Sequence, residues 1–387
     1  MTAGIMSSQM AVGDKPYRLY RGGRTKGKVP LERRARPAGT PEAPAGPETP
    51  RRRRWWLWIG LAFACLVVLL IAWSALGFLS FSHGVHQANK RLPRNVHRQL
   101  ASQNGSLLSN PTTILVMGTD GGERGRAGSR RSDSLLLVRT DPGKNRISYL
   151  SIPRDLRVEI PGYGSGKINS ANQFGGPALA IATVRQLTGL PIQHVVVMDF
   201  TGFKKLIDAL GGIDITVPKP ILSNKFDCPY PPRRCTTWKG WRFGRGKQHM
   251  NGRRALIYSR IRENRLDPSD TDISRTTRQQ AVAQAVGDKV ASFGTFLKLP
   301  FMGHSLASPI ATDLSTWDLV KLGWVRFRAN DGDALHCRLG GSPSTIGGQS
   351  VLVGSEDNVN VISMFLRRSA ALAPEKGFPY APGCTRR

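Results

Sequence analysis

The chain has 387 residues, room for one large domain or two ordinary ones. Its 56 Lys+Arg against 26 Asp+Glu leave a formal net charge of +30, which points to an anionic partner rather than a cationic one. Composition does not choose among nucleic acid, anionic lipid and a phosphate-rich polymer, because it says nothing about what the charge faces.

Residues 1–54 read as a basic cytoplasmic tail with 13 Lys+Arg and 4 Asp+Glu. Within it, Ala35 to Pro50 is expected to be disordered, since its Pro/Ala/Gly/Glu composition cannot bury enough apolar surface to offset chain entropy. Arg51 to Arg54 then precede Trp55 to Phe81 (WWLWIGLAFACLVVLLIAWSALGFLSF), twenty-seven residues without a charge. About 20 apolar residues at about 1.5 Å each cross a hydrocarbon core of about 30 Å, so the segment predicts one transmembrane helix. Trp55, Trp56 and Trp58 at one end, with Trp73 nearer the other, stand where interfacial aromatics belong. A cleaved signal peptide is the rival. Against it count the length of the run, the long tail before it and the lack of a small-x-small site after it.

By the positive-inside rule the arginine cluster keeps the tail in the cytoplasm and puts everything after Phe81 outside, a single-pass type II topology. That placement argues against nucleic acid. The tail shows no helix-turn-helix pattern, and its arginines suit anionic headgroups.

Five cysteines follow the same logic. Cys65 lies inside the span as a small apolar filler. Cys228, Cys235, Cys337 and Cys384 make an even set in an oxidising compartment. Three pairings are open, and Cys228–Cys235 with Cys337–Cys384 is the preferred one. Metal binding by CPYPPRRC is weaker, because its spacing is unlike the short zinc spacings and no His pair adjoins it.

Residues 82–110 are polar and mixed and read as a stem. The globular part, 111–387, opens with a buried strand at Thr113–Gly118. A Gly/Arg-rich loop leads to a second strand at Ser134–Arg139. The turn Asp141-Pro142-Gly143 and a third strand, Ile147–Ile152, follow. A helix is expected from Lys167 to about Leu187, a strand over His194–Met198, a helix over Phe200–Leu210 and a strand over Ile213–Val217. Beyond the Cys-bearing loop and a helix ending near Ser292, the C-terminal part offers helices at Thr316–Arg326 and Asn358–Leu372. It also offers strands at Leu335–Leu339 and Ser350–Val353. It reads as the last layers of the same fold, 293–387 behind core motifs at 113–292. Strands interleaved with helices predict an α/β domain, a mixed central sheet flanked by helices.

The densest chemistry lies in Arg253–Gln280 (RRALIYSRIRENRLDPSDTDISRTTRQQ). From Asp272 it reads as a helix, with a carboxylate in the first turn and Arg275, Arg278 and Gln279 at helical spacing on the same face. Before it, Ala255–Ile261 reads as a short ordered segment aiming Arg260 and Arg262 the same way. Guanidinium forks in such numbers suit phosphate oxygens, although a solvated basic helix with internal ion pairs accounts for the same residues. Asp120, Arg131, Asp133, Arg154 and Asp155 gather at strand ends, where ligands bind in open α/β sheets. Asp120 and Asp133 could ligate a hard cation such as magnesium, or each could be a turn or cap residue. His83, His86, His97, His194, His249, His304 and His336 fall in no triad or HExxH setting, and no Walker loop is present.

ILVMGTD (114–120), RRSDSLLLV (130–138), SIPRDLRVEIPG (151–162), KIN (167–169), VMDFTGF (197–203), LGGIDITVP (210–218) and GRRALIYSRIR (252–262) with DISRTTRQQ (272–280) together resemble the LytR-CpsA-Psr family. The motifs run in the family's order behind a matching single span. The resemblance implies an extracytoplasmic phosphotransferase, taking an anionic glycopolymer from a polyprenyl-pyrophosphate carrier and joining it to peptidoglycan by a phosphodiester. It implies Mg²⁺, with Mn²⁺ as an alternative, held by Asp120 and Asp133. Arg131, Arg154, Arg260, Arg262, Arg275 and Gln279 would hold the pyrophosphate, with Arg278 among them or supporting them. Asp133, Arg154 and Asp272 would be catalytic, the base being Asp133 or Asp272. It also implies an apolar cleft for the polyprenyl tail, to which Phe200, Phe203, Leu206 and Leu210 could contribute. The chain departs from the pattern in its strongly basic loop before Asp133 and its Cys-bearing insertion. Alternatives are a lipid-pyrophosphate pyrophosphatase, a non-catalytic lipid or wall-polymer binding protein, and a transcriptional regulator. The intact Asp and Arg set argues against the binding protein, and the lack of a folded cytoplasmic domain against the regulator.

Overall fold

The computed structural model describes residues 52–120, 131–225, 228–268, 270, 272–375, 377–378 and 380–386. The basic tail through Arg51, the loop 121–130 and the side chain of Asp272 lie outside the described residues. The chain divides into Met1–Gly60 and Leu61–Arg387. In the first unit, helix Arg52–Arg91 (α1) begins, with the Trp55 and Trp56 rings tilted at 5.6 Å. The stretch Trp55–Arg91 contains a window of mean hydropathy 2.6 with none of it buried, long and apolar enough to cross a membrane.

Within residues 82–110, read as a stem, part of the chain packs on the domain. α1 runs on to Arg91, and Val85, Ala88, Leu92 and Val96 are buried against the domain. Those four recur at spacings of three and four, one face of a helix continued into the 3-10 turn Arg94–Gln99.

β1 (Thr112–Thr119) pairs antiparallel with β2 (Ser132–Asp141), which returns through the turn Pro142–Lys144 as β3 (Arg146–Ile152). A hairpin absent from the sequence reading follows, β4 (Leu156–Ile160) and β5 (Gly164–Lys167). LRVEI alternates buried and exposed as a strand with one covered face does, but Pro153 before it and glycines after it mask the pattern. Next come α2 (Ile168–Thr188), β6 (His194–Asp199), α3 (Phe200–Ala209) and β7 (Ile213–Val217). The Asp199 carboxylate caps α3, accepting from the Gly202 N–H at 2.6 Å. β8 (Ile221–Leu222), α4 (Pro232–Cys235), β9 (Arg242–Phe243) and β10 (Gly246–Met250) make up the Cys-bearing region.

The arginine stretch folds as two helices, α5 (Gly252–Arg260), capped by Asn251, and α6 (Asp272–Val290). The sequence reading has no counterpart for α7 (Phe293–Ala307). β11 (Ala311–Thr312), α8 (Thr316–Arg328), β12 (Leu335–Arg338), β13 (Gly341–Ile346), β14 (Gln349–Gly354), α9 (Asn358–Phe365) and β15 (Gly383–Arg386) complete the chain. α9 stops short of the expected Leu372, where Arg367 takes φ 57° and its guanidinium turns to Asp333 at 3.1 Å.

The central sheet is seven-stranded and mixed, in the order β11-β6-β1-β2-β3-β12-β15, with β1–β6 and β3–β12 parallel. A smaller sheet runs β13-β14-β4-β5. Both faces of the large sheet are covered, which is why its inner strands read as apolar runs without alternation. Leu115, Met117, Leu137 and Leu150 point to one face and enter the main core with Ile168, Ile181 and Phe365. Each such burial contributes about 1.5–3 kcal/mol. Alternate residues point to the other face, where the packing is incomplete. Cys337 on β12 faces Cys384 on β15 in register with Sγ atoms 2.04 Å apart, Cys228 lies 2.17 Å from Cys235 at α4, and Cys65 is exposed on α1.

Candidate functional site

On that second face an apolar groove of about 410 Å³ lies between the sheet and the helices. Its floor is Ile114 and Val116 of β1 with Leu136 and Val138 of β2. α6 supplies Gln279, Val282, Ala283, Val286, Gly287 and Val290, a single helical face at spacings of three and four. From Gln279 to Val290 that wall is about 16 Å long at 1.5 Å per residue. Phe200, Phe203 and Leu206 of α3 line the groove as the sequence suggests. Leu210 does not; it is buried beside Leu206 and Leu306. A concave, mostly apolar site of this size with a few polar groups at one place is what an amphipathic ligand requires.

Four polar residues of the lining are Ser134, Ser259, Arg260 and Gln279, and Thr140, Tyr149, Asp199 and Arg326 also border the groove. The Ser134 hydroxyl donates to Gln279 Oε1 at 3.0 Å, tying β2 to α6. The Arg260 guanidinium lies over the Phe200 ring at 4.5 Å. One residue before Ser134, Asp133 Oδ1 accepts from Arg154 Nη1 at 2.8 Å. Arg154 also pairs with Asp155 at 3.3 Å, and Lys167 Nζ reaches the other Asp155 oxygen at 3.0 Å. Burial, the largest influence on Asp155, would push its carboxyl up. The Arg154 guanidinium and the Lys167 hydrogen bond outweigh it and hold the group below the usual carboxylate range.

Beyond Arg154 a second cleft, polar and about 640 Å³, is lined by Asp155, Arg262, Arg265, Asp270, Ser350 and Tyr380 among others. Arg154 thus lines the polar cleft, while its partner Asp133 precedes the groove residue Ser134 on β2. Arg260 and Arg262 do not aim the same way. α5 ends at Arg260, Ile261 turns extended (φ −57°, ψ 127°), and the two guanidinium groups are divided between groove and cleft.

The remaining arginines are dispersed. Arg278 is buried, its Nη1 on both oxygens of Asp270 at 2.9 and 3.1 Å and its Nη2 on the Ile261 carbonyl. That arrangement fastens α6 to the end of α5. Arg275 is buried as well. Arg131 donates from Nε to Gln173 on α2 at 3.0 Å. Missing from the sequence reading are Ser134, Ser259 and the α6 wall; the apolar i, i+4, i+8 series Val282, Val286 and Val290 is the signal that marks it.

Asp120, buried, and Asp133 sit at adjoining ends of β1 and β2, where the Asp120 N–H donates to the Arg131 carbonyl at 3.3 Å. Among the described residues no group of three or more His, Cys, Asp or Glu side chains gathers into a protein-only cage. One or two carboxylates completed by waters and ligand phosphates is the donor set magnesium takes, so these residues fit it.

The LytR_cpsA_psr family model matches residues 77–367. A Bacillus anthracis protein named polyisoprenyl-teichoic acid–peptidoglycan teichoic acid transferase TagU is 35% identical over 243 residues, 61% of this chain and 73% of its own. B. subtilis TagV is alike in structure, with a TM-score of 0.56 at 27% identity over 67% of this chain and 97% of its own. YwtF (TagT), solved with bound octaprenyl pyrophosphate lipid, shares the fold at a TM-score of 0.51 and 22% identity, over 69% of this chain and 92% of its own. Matched from within α1 to just past α9, the chain belongs to the LytR-CpsA-Psr family.

Proposed function

We propose that this protein is a membrane-anchored phosphotransferase that moves an anionic glycopolymer from a polyprenyl-pyrophosphate carrier to peptidoglycan outside the cell. The observation that carries the reading is the apolar groove ending at Ser134, Arg260 and Gln279, one residue from the Asp133–Arg154 pair. The groove takes the polyprenyl tail, the junction takes the diphosphate, and the polar cleft beyond Arg154 takes the hydrophilic portion. α1 crosses the membrane with its arginine-flanked end in the cytoplasm. The names of the relatives support a teichoic acid as the polymer class; arabinogalactan or a capsule remains chemically equivalent at this site. An oxidising exterior agrees with the pairing of Cys228 with Cys235 and Cys337 with Cys384.

Transfer makes a bond from an acceptor hydroxyl oxygen to the sugar-bearing phosphorus and breaks the P–O–P bridge. Polyprenyl phosphate leaves with the bridge electrons, and the hydroxyl proton passes to a carboxylate, Asp133 or Asp272. Arg154 and Arg260 hold the charge on the leaving phosphate, and the groove fixes the carrier so that only the attacking hydroxyl has to be positioned. Asp120 and Asp133 would hold Mg²⁺ or Mn²⁺, which when bound supplies further charge neutralisation at the diphosphate.

The test incubates the full chain in lipid nanodiscs with a polyprenyl-diphosphate glycan and peptidoglycan fragments, with Mg²⁺ or with EDTA. Glycan joined to peptidoglycan by a phosphodiester, lost in Asp133→Ala, is the expected result. Release of free phosphorylated glycan alone would make it a pyrophosphatase, and tight binding without turnover a binding protein.

A further inference from the structure

α7 and α8 carry more outward apolar surface than a water-facing helix pair needs. Phe293, Phe296 and Phe301 on α7 are exposed, as are Trp317, Trp324 and Phe327 on α8. Phe293 stacks with Phe296 at 6.3 Å and Trp324 with Phe327 at 5.7 Å. Exposed aromatic faces of this kind mark an interaction surface.

Its position identifies the partner. Each of the two helices meets α1 where that helix leaves its apolar segment. The Trp73 ring packs edge-on against Phe301 at 5.4 Å, and its indole N–H donates to the Leu297 carbonyl at 3.2 Å. Five residues on, Phe78 packs against Trp317 at 4.9 Å. About twenty residues counted from Trp55 reach Ser74, so Trp73 marks the level at which a spanning helix emerges from hydrocarbon. Phe301 lies at the same level. α7 is also held closely to α1. A Cβ on Gly84 would meet the His304 carbonyl oxygen at 2.6 Å, and one on Gly303 the Phe81 nitrogen at 2.8 Å. Lys298 and Arg328 supply exposed cationic groups beside the aromatics, the pairing that suits an anionic lipid interface.

We propose that the outer faces of α7 and α8 are embedded in the interfacial layer of the bilayer that α1 crosses. This rests on α1 spanning the membrane. The domain then lies on the lipid surface, not above it on a stalk. The inner faces of the same helices, through Leu306, Leu319 and Leu322, line the groove. An isoprenoid tail therefore moves from bilayer to groove between apolar walls.

Site-directed nitroxide labelling of the full chain tests this, in nanodiscs of phosphatidylglycerol and phosphatidylethanolamine with Cys65→Ala removing the free thiol. Labels go on Phe301→Cys and Trp324→Cys, with Leu69→Cys reporting the span and the exposed Tyr163→Cys reporting water. The expected result is severalfold greater oxygen than nickel-chelate collision at 301 and 324, the reverse of 163. If 301 and 324 behave like 163 while 69 reads as lipid, the proposal is overturned and the span stands. Low collision with both reagents at 301 and 324 means protein covers the face, most simply a second copy, and also overturns it. A water-exposed label at 69 removes the span and the proposal together.

Discussion

Arg278→Ala separates the two roles open to the arginines of α6. Arg278 and Asp270 are only 6% and 12% exposed in their side chains, and their pair is 2.9 Å long. Removing the guanidinium strands the Asp270 carboxylate and the Ile261 carbonyl in a buried setting. Breaking a buried pair from one side costs about 3–5 kcal/mol. For a domain of this size each kcal/mol moves Tm by about 2–4 °C, so the loss should be roughly 10 °C. The assay is a thermal melt of the full chain in nanodiscs, beside polyprenyl diphosphate affinity measured well below the transition. Affinity should stay within a factor of about 3 of the parent, a change under about 1 kcal/mol. The double variant Asp270→Leu/Arg278→Met removes both charges and should recover most of the lost Tm, leaving only the Ile261 carbonyl unserved. An Arg278→Ala protein that melts like the parent but has lost the diphosphate would refute the structural role and return Arg278 to the ligand.

Val286→Trp places an indole in the middle of the α6 wall; affinity for long-chain polyprenyl diphosphate should fall at least tenfold, about 1.4 kcal/mol, while a short-chain soluble diphosphate binds as before. Titration calorimetry with both ligands reads the difference. Gly202→Ala should destabilise by about 1–3 kcal/mol, because its Cβ would meet the Pro309 carbonyl oxygen at 2.3 Å against a rigid backbone; denaturant unfolding measures it. Asp155 has a folded value below its ordinary 3.8. Its stabilising contribution is thus fully present above 3.8 and is lost as pH falls through the lower folded value. The stability gap between the parent and Asp155→Asn should hold steady from neutrality to about pH 5 and narrow as pH drops further. A gap that widens on acidification would contradict the assigned sign.

The strands and helices of the first half were legible because their signals are local. Thr113–Gly118, Ser134–Arg139 and Ile147–Ile152 are apolar runs between turns, and DITVP and VMDF punctuate cleanly. α7 was not legible, since FGTFLKLPFMGHSLA holds Pro300, two glycines and little polar periodicity. Its helicity comes from packing on α1, a partner more than 200 residues away. The hairpin β4–β5 was obscured by Pro153 and the glycines of its turn. In the site, residue identity was readable and direction was not. Arg260, Arg262 and Arg278 look equivalent as letters, but the end of α5 sends the first to the groove and the second to the polar cleft, while Asp270 claims the third. The groove's far wall draws on α7 and α8, whose contribution depends on tertiary placement.

The most direct measurement is photo-crosslinking with a polyprenyl diphosphate bearing a diazirine midway along its chain, followed by peptide mapping of the full protein in nanodiscs. Labelling should fall on α6 between Val282 and Val290 and on the facing β1–β2 strands, and should be competed by unmodified lipid and reduced by Val286→Trp. Labelling confined to the polar cleft, or unchanged in Val286→Trp, would contradict the placement of the carrier in the groove.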